Sequence, residues 1–223
     1  MTELPSHQAL IDRLGTELVP VRRLLPPWLR AAGWLLAVAA IAAMLLMHFG
    51  TGGMLRRLHA APDLAWAAMG AVLTAITAAW AAFSLGVPGR RATWAWLPLP
   101  AALLWIGASG LGCLRTWIAP TTSIASLHQS ADCLVFIVSF SVPLSALMIL
   151  MLRRACPLRP VLTALLIGLA SAAASASLLE ICHAYDAAAT DLLTHAAAVA
   201  IVVAVNAAMG GRLLSRTTPA HLP

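Results

Sequence analysis

The run Pro160-Val-Leu-Thr-Ala-Leu-Leu-Ile-Gly-Leu-Ala-Ser-Ala-Ala-Ala-Ser-Ala-Ser-Leu-Leu-Glu-Ile181 holds one charge in 22 residues, and that charge, Glu180, stands next to its end. The run does not alternate with a period of two, so it does not read as a strand. About 20 residues suffice for a helix to cross a hydrocarbon core of ~30 Å. Only helices and closed barrels satisfy their backbone in that medium. The run is therefore expected to be a membrane helix. From Gly168 to Ser177 small residues recur at four-residue spacing, a face that lets a second helix approach closely.

Five further runs of similar length flank it: Trp28–Phe49, Leu64–Leu85, Ala92–Gly112, Ala131–Leu152 and Asp191–Gly211. The expected fold class is an all-α membrane protein of six transmembrane helices. Composition agrees, at 61% hydrophobic and 10% charged with a mean hydropathy of +0.88, far from a soluble domain. Trp94 and Trp96 are expected as interfacial anchors, Pro143 as a kink in the fourth span, and Asn206 as a hydrogen bonder between helices. The chain shows no internal repeat.

The net charge of +6 comes entirely from arginine. A basic chain can signal nucleic acid, but these arginines sit in short loops, where they read as topology signals. The N-terminus, second loop, fourth loop and C-terminal tail hold Arg13, Arg22, Arg23, Arg30, Arg90, Arg91, Arg153, Arg154, Arg159, Arg212 and Arg216; the other loops hold Arg56, Arg57 and Arg115. Eleven against three predicts cytoplasmic termini, with the first, third and fifth loops on the far side. The expected organisation is a cytoplasmic segment over 1–27, a six-helix membrane domain over 28–212 and a tail over 213–223. The first 27 residues lack an apolar h-region, so no cleavable signal is expected. They do hold an amphipathic helix, expected from His7 to Val19 with Ser6 as its cap, a stripe of Leu10, Leu14 and Leu18, and Pro20 ending it.

Chemistry concentrates at the far side. Cys113 ends the third span, Cys133 opens the fourth and Cys182 ends the fifth, while Cys156 lies in a cytoplasmic loop. Cys133 has Asp132 and His128 near it in sequence; Cys182 has Glu180, His183 and Asp186. Such thiols can pair as a disulfide in an oxidising compartment, or bind a soft or borderline ion with imidazole. They can also be small buried hydrophobes and nothing more. His48, His59, His195, Met44, Met47 and Met54 map to the same side, but no Cys-x-x-Cys or His-x-x-His spacing occurs. Asp191 and His195 stand one turn apart, a helix-capping pair or a proton relay. No phosphate loop, nucleophile elbow or zincin motif is present, and no catalytic residue is assigned. Spans two to four hold no ionisable group at mid-depth, which speaks against a proton-coupled carrier.

Three segments resemble the NrsF-type anti-sigma factors: Leu10 to Pro27, with its Pro-Val-Arg-Arg; Ser130-Ala-Asp-Cys-Leu134 with Arg153-Arg-Ala-Cys-Pro-Leu-Arg-Pro160; and Cys182-His-Ala-Tyr-Asp186. The resemblance covers nearly the whole chain. It implies a multi-pass protein of the bacterial inner membrane that holds an extracytoplasmic-function sigma factor and releases it under heavy-metal or redox stress. It implies Cys133 and Cys182 as the sensing pair, with Cys113, His183 and His128 as further candidates. It gives Leu10, Leu14, Leu18, Arg22 and Arg23 the role of sigma-factor binding, where the residues alone allow a helix lying on the membrane surface. No cofactor is required, regulatory binding of copper, cadmium or zinc being one form of the signal. The partners are the sigma factor and membrane lipid, with no direct nucleic-acid contact. The alternative is a membrane thiol oxidoreductase, although a paired Cys-x-x-Cys is missing, or a metal transporter, although no polar path crosses the membrane.

Overall fold

A computed structural model describes residues 7–16, 24–118, 127–155, 157–182 and 189–215. Its helices are α1 His7–Thr16, α2 Pro27–Phe49, α3 Gly52–Ala60, α4 Pro62–Leu85, α5 Leu99–Ile118, α6 Leu127–Leu152, α7 Pro160–Cys182 and α8 Ala189–Ser215. Six segments are long and apolar enough to cross a membrane: α2, α4, α5 with the turn before it, α6, α7 and α8. Proline opens three of them, at Pro27, Pro62 and Pro160. Its missing N–H costs nothing at a first helical position, where that donor has no intrahelical partner. Gly50, at φ 73°, ends α2 in a conformation other residues avoid. α6 stays helical on both sides of Pro143.

The third span differs from expectation. Ala92–Trp96 form a 3-10 turn, and α5 starts only at Leu99 and then runs past Gly112 to Ile118. Pro98 and Pro100 explain the shift. Neither can donate to a continuing i→i−4 ladder, so the helix begins where their absent donors fall in its first turn. Its first bonds include Ala102 N–H to Pro98 O at 2.9 Å. The short helix α3 is also additional to the expected spans. Met54, Arg57 and Leu58 face inward from it at i, i+3 and i+4, while Leu55, Arg56 and His59 are exposed.

α4 and α7 form the middle of the bundle. α7 packs against α8, α4, α6 and α2, and α4 also takes α5 on its other side. α7 is buried on all faces from Thr163 to Ala176 apart from Leu165 and Leu169, as a helix apolar around its whole circumference should be. Its small residues set the spacing. A Cβ placed on Gly168 would lie 2.8 Å from Val203 Cα, and one on Gly210 would lie 2.0 Å from Ala164 Cβ, so α7 and α8 touch backbone to backbone. The few polar side chains are spent between helices. Ser141 Oγ donates to Ser175 Oγ at 3.1 Å, joining α6 to α7. Asn206 donates to Ser145 Oγ at 3.2 Å, joining α8 to α6, and also to Val202 O at 2.8 Å. That is the interhelical role expected of Asn206. Trp34, fully buried, donates its Nε1–H to Leu144 O at 3.0 Å.

Arg30 corrects the loop assignment. It lies one turn inside α2 and is 5% exposed. Its guanidinium covers the Phe83 ring at 5.0 Å from the centroid and donates through Nη2 to Met151 O. The last carbonyls of a helix have no intrahelical acceptors to fill and carry the negative end of its dipole. A buried cation that caps α6 there, over an aromatic face, resolves what the pattern of loop arginines alone did not. The contact also brings the start of α2 together with the ends of α4 and α6 at one end of the bundle.

Candidate functional site

The opposite end of the bundle gathers the three cysteines that the structure describes. Cys133 sits two turns into α6 and is 5% exposed. It belongs to a small apolar cluster with Ile137, Leu179 and Ala198, so α6, α7 and α8 all contribute. Cys182, half-buried, is the last residue of α7, and its thiol donates to Leu178 O at 3.8 Å. Leu179 in the cluster is three residues before Cys182, which places both thiols at one level. Cys113, half-buried in α5, belongs to a different surface. It lines a cleft of about 480 Å³ between α4, α5, α7 and α8, together with Arg57, Asp63, Glu180 and His195. The expected clustering in depth is therefore present, but it divides: Cys133 packs within an α6–α7–α8 core and Cys113 borders a cleft.

Two ion pairs frame that cleft. Arg57 reaches from α3 to the end of α7, with Nη1 3.6 Å from Glu180 Oε2 and Nη2 donating to Glu180 O at 2.5 Å. Arg115 pairs with Asp63 at 3.3 Å, joining the end of α5 to the start of α4. Gly112 makes room for that pair, since a Cβ there would lie 2.6 Å from Asp63 Oδ2. Two of the three arginines on this side are thus neutralised by partners. Glu180 had been marked by its depth; Arg57, Asp63 and Arg115 had not. Two acids and two cations at the same end of neighbouring spans were a usable sign of pairing.

Among the described residues no three His, Cys, Asp or Glu side chains are grouped to hold a metal ion. His183, Asp186 and Cys156 lie outside the described residues, as do the side chains of His128 and Asp191. At the chain's start, α1 has no buried residue; Leu10, Ile11 and Leu14 are all exposed. Leu18, Arg22 and Arg23, and the expected extension of α1 to Val19, lie outside the described residues.

Residues 14–215 match the family described as NrsF, negative regulator of sigma F. The chain belongs to the NrsF family. No curated protein and no solved structure matches it. The match to NrsF starts within α1 and ends at the last residue of α8, so it takes in all six spans and all four cysteines. Membership makes the chain a negative regulator of a sigma factor, and a sigma factor its partner.

Proposed function

We propose that the chain is an anti-sigma factor of the bacterial inner membrane that sequesters an extracytoplasmic-function sigma factor at its cytoplasmic face and releases it when thiols at the outer face meet a heavy metal or an oxidant. The observation that carries this reading is the separation of the two features. The cysteines lie at one end of the bundle, while the exposed leucines of α1 precede the start of α2 at the other. An amphipathic helix with no partner of its own suits docking into a groove of the sigma factor through Leu10, Leu14 and Leu18, with Arg22 and Arg23 meeting acids. The eleven-to-three distribution of arginine supports cytoplasmic termini.

In this reading Cys133 and Cys182 form the sensing pair, with His183, His128 and Cys113 as further donors. Chemistry at Cys133 has to open the cluster it shares with Leu179 and Ala198, and so changes how α6 packs on α7 and α8. The test is co-purification through a tag on the C-terminal tail, in mild detergent, with and without added copper or cadmium. A sigma factor bound at rest and lost on metal addition is the expected result. A chain that brings down no cytoplasmic partner in either condition would overturn the reading.

A further inference from the structure

The cleft beside Cys113 is built in two zones. Its walls are apolar, from Ala71 and Trp105 on one side to Val199 and Val203 on the other. Its rim carries Arg57, Asp63, Glu180 and His195. The rim holds no surplus charge on its acids and arginines, because Arg57 pairs with Glu180 and Arg115 with Asp63. A charged head would therefore have to displace an existing ion pair. What the rim does offer is a donor: Arg57 Nε–H is buried and has no hydrogen-bond partner among the described residues. A buried donor left without an acceptor is costly, and an uncharged acceptor supplied by a ligand would remove that cost.

We propose that this cleft binds an uncharged, long-chain apolar molecule whose head presents a carbonyl acceptor to Arg57, the chemistry shared by isoprenoid quinones and by the ester region of membrane lipids. The volume falls in the range of small-molecule sites, and the lining has their usual form, mostly apolar with a few converging polar groups. Glu180 gives such a ligand a route to the rest of the molecule. It lines this cleft and also a second one, under α3 between α2, α4 and α7, and it stands two residues before Cys182. A head group that draws Arg57 towards itself loosens the hold on the end of α7. The site stands on its own geometry and does not depend on whether the chain holds a sigma factor.

The test is photolabelling of the full-length protein in phosphatidylcholine nanodiscs with two diazirine probes, one a ubiquinone analogue and one an acyl-tagged phosphatidylcholine, each mapped to peptides. Label on the Trp105 and Val199–Val203 segments that falls to background with excess decylubiquinone assigns the site to quinones. The same label falling only with excess lipid assigns it to lipid esters. Ala200→Phe, at an exposed position on the α8 wall, is expected to remove the label in either case. Label on these segments no denser than on the outward-facing Val142 and Leu150 of α6, or label that neither competitor reduces, would overturn the proposal.

Discussion

Arg57 grips Glu180 twice, donating to its main-chain carbonyl at 2.5 Å and approaching its carboxylate at 3.6 Å. The carbonyl bond fills one of the acceptors a helix leaves open in its last turn, and the cation lies at the negative end of the α7 dipole. Arg57→Ala removes both contacts and leaves a half-buried carboxylate behind. The expected loss is about 1–3 kcal/mol, below that of a fully enclosed pair because the Glu180 side chain keeps 28% of its exposure. Glu180→Gln keeps the carbonyl bond and should cost less. Thermal unfolding of both variants in detergent checks the order; equal losses would mean that the carbonyl bond contributes nothing.

The two surfaces found for the cysteines separate their roles. Cys133→Ala with Cys182→Ala is expected to retain the sigma factor at rest and to fail to release it on metal or oxidant. Cys113→Ala, which alters only the cleft wall, is expected to release it at the usual threshold. Alanine suits Cys133 better than serine, because a hydroxyl placed among Ile137, Leu179 and Ala198 has to find a partner in an apolar cluster. A reporter driven by the released sigma factor reads all three variants. Release by the double variant at the normal threshold would remove these thiols from the mechanism.

α1 offers a test in which a helix is strengthened without touching anything else. A Cβ added at Gly15 meets no atom within 4 Å. Gly15→Ala should therefore only favour the helix, by about 1 kcal/mol. If α1 docks as a helix, that preorganisation should tighten sigma-factor binding by up to about fivefold. Leu14→Asp, at an exposed position of the leucine stripe, should abolish binding without lowering the unfolding temperature. Affinity measured on the purified pair decides. Tighter binding by Leu14→Asp would show that the stripe is not the docking face.

The spans were legible because bilayer thickness acts on every residue of a long run at once, so Pro160–Ile181 needs no partner to be read. Asn206 was legible for a related reason, since an amide inside a span has to find a polar neighbour. Features that depend on neighbours from other spans were not. Arg30 reads as a loop cation until Phe83 and Met151 are seen beside it. The three outer arginines read as leftovers of a topology rule until Glu180 and Asp63 claim two of them. α3 was missed for length rather than for lack of signal, since Met54, Arg57 and Leu58 keep helical spacing over too few residues to stand out. The separation of Cys113 from Cys133 has no sequence signal at all, because it is set by which helices flank α5 and α6.

The backbone contact between α7 and α8 gives the sharpest stability test, with its control in the same molecule. Gly168→Ala places a methyl 2.8 Å from Val203 Cα and 3.2 Å from Val202 O. Both are main-chain atoms on a packed helix and cannot swing aside as a side-chain tip would. The helices have to part, which costs about 1–3 kcal/mol and lengthens the Asn206–Ser145 bond on the same helix. Gly107→Ala in α5 places its methyl in open space. It should be neutral or stabilising by up to about 1 kcal/mol, the usual gain when a helical glycine becomes alanine. Opposite shifts of the two unfolding temperatures are the expected result. Equal shifts would mean that α8 lies farther from α7 than this packing requires.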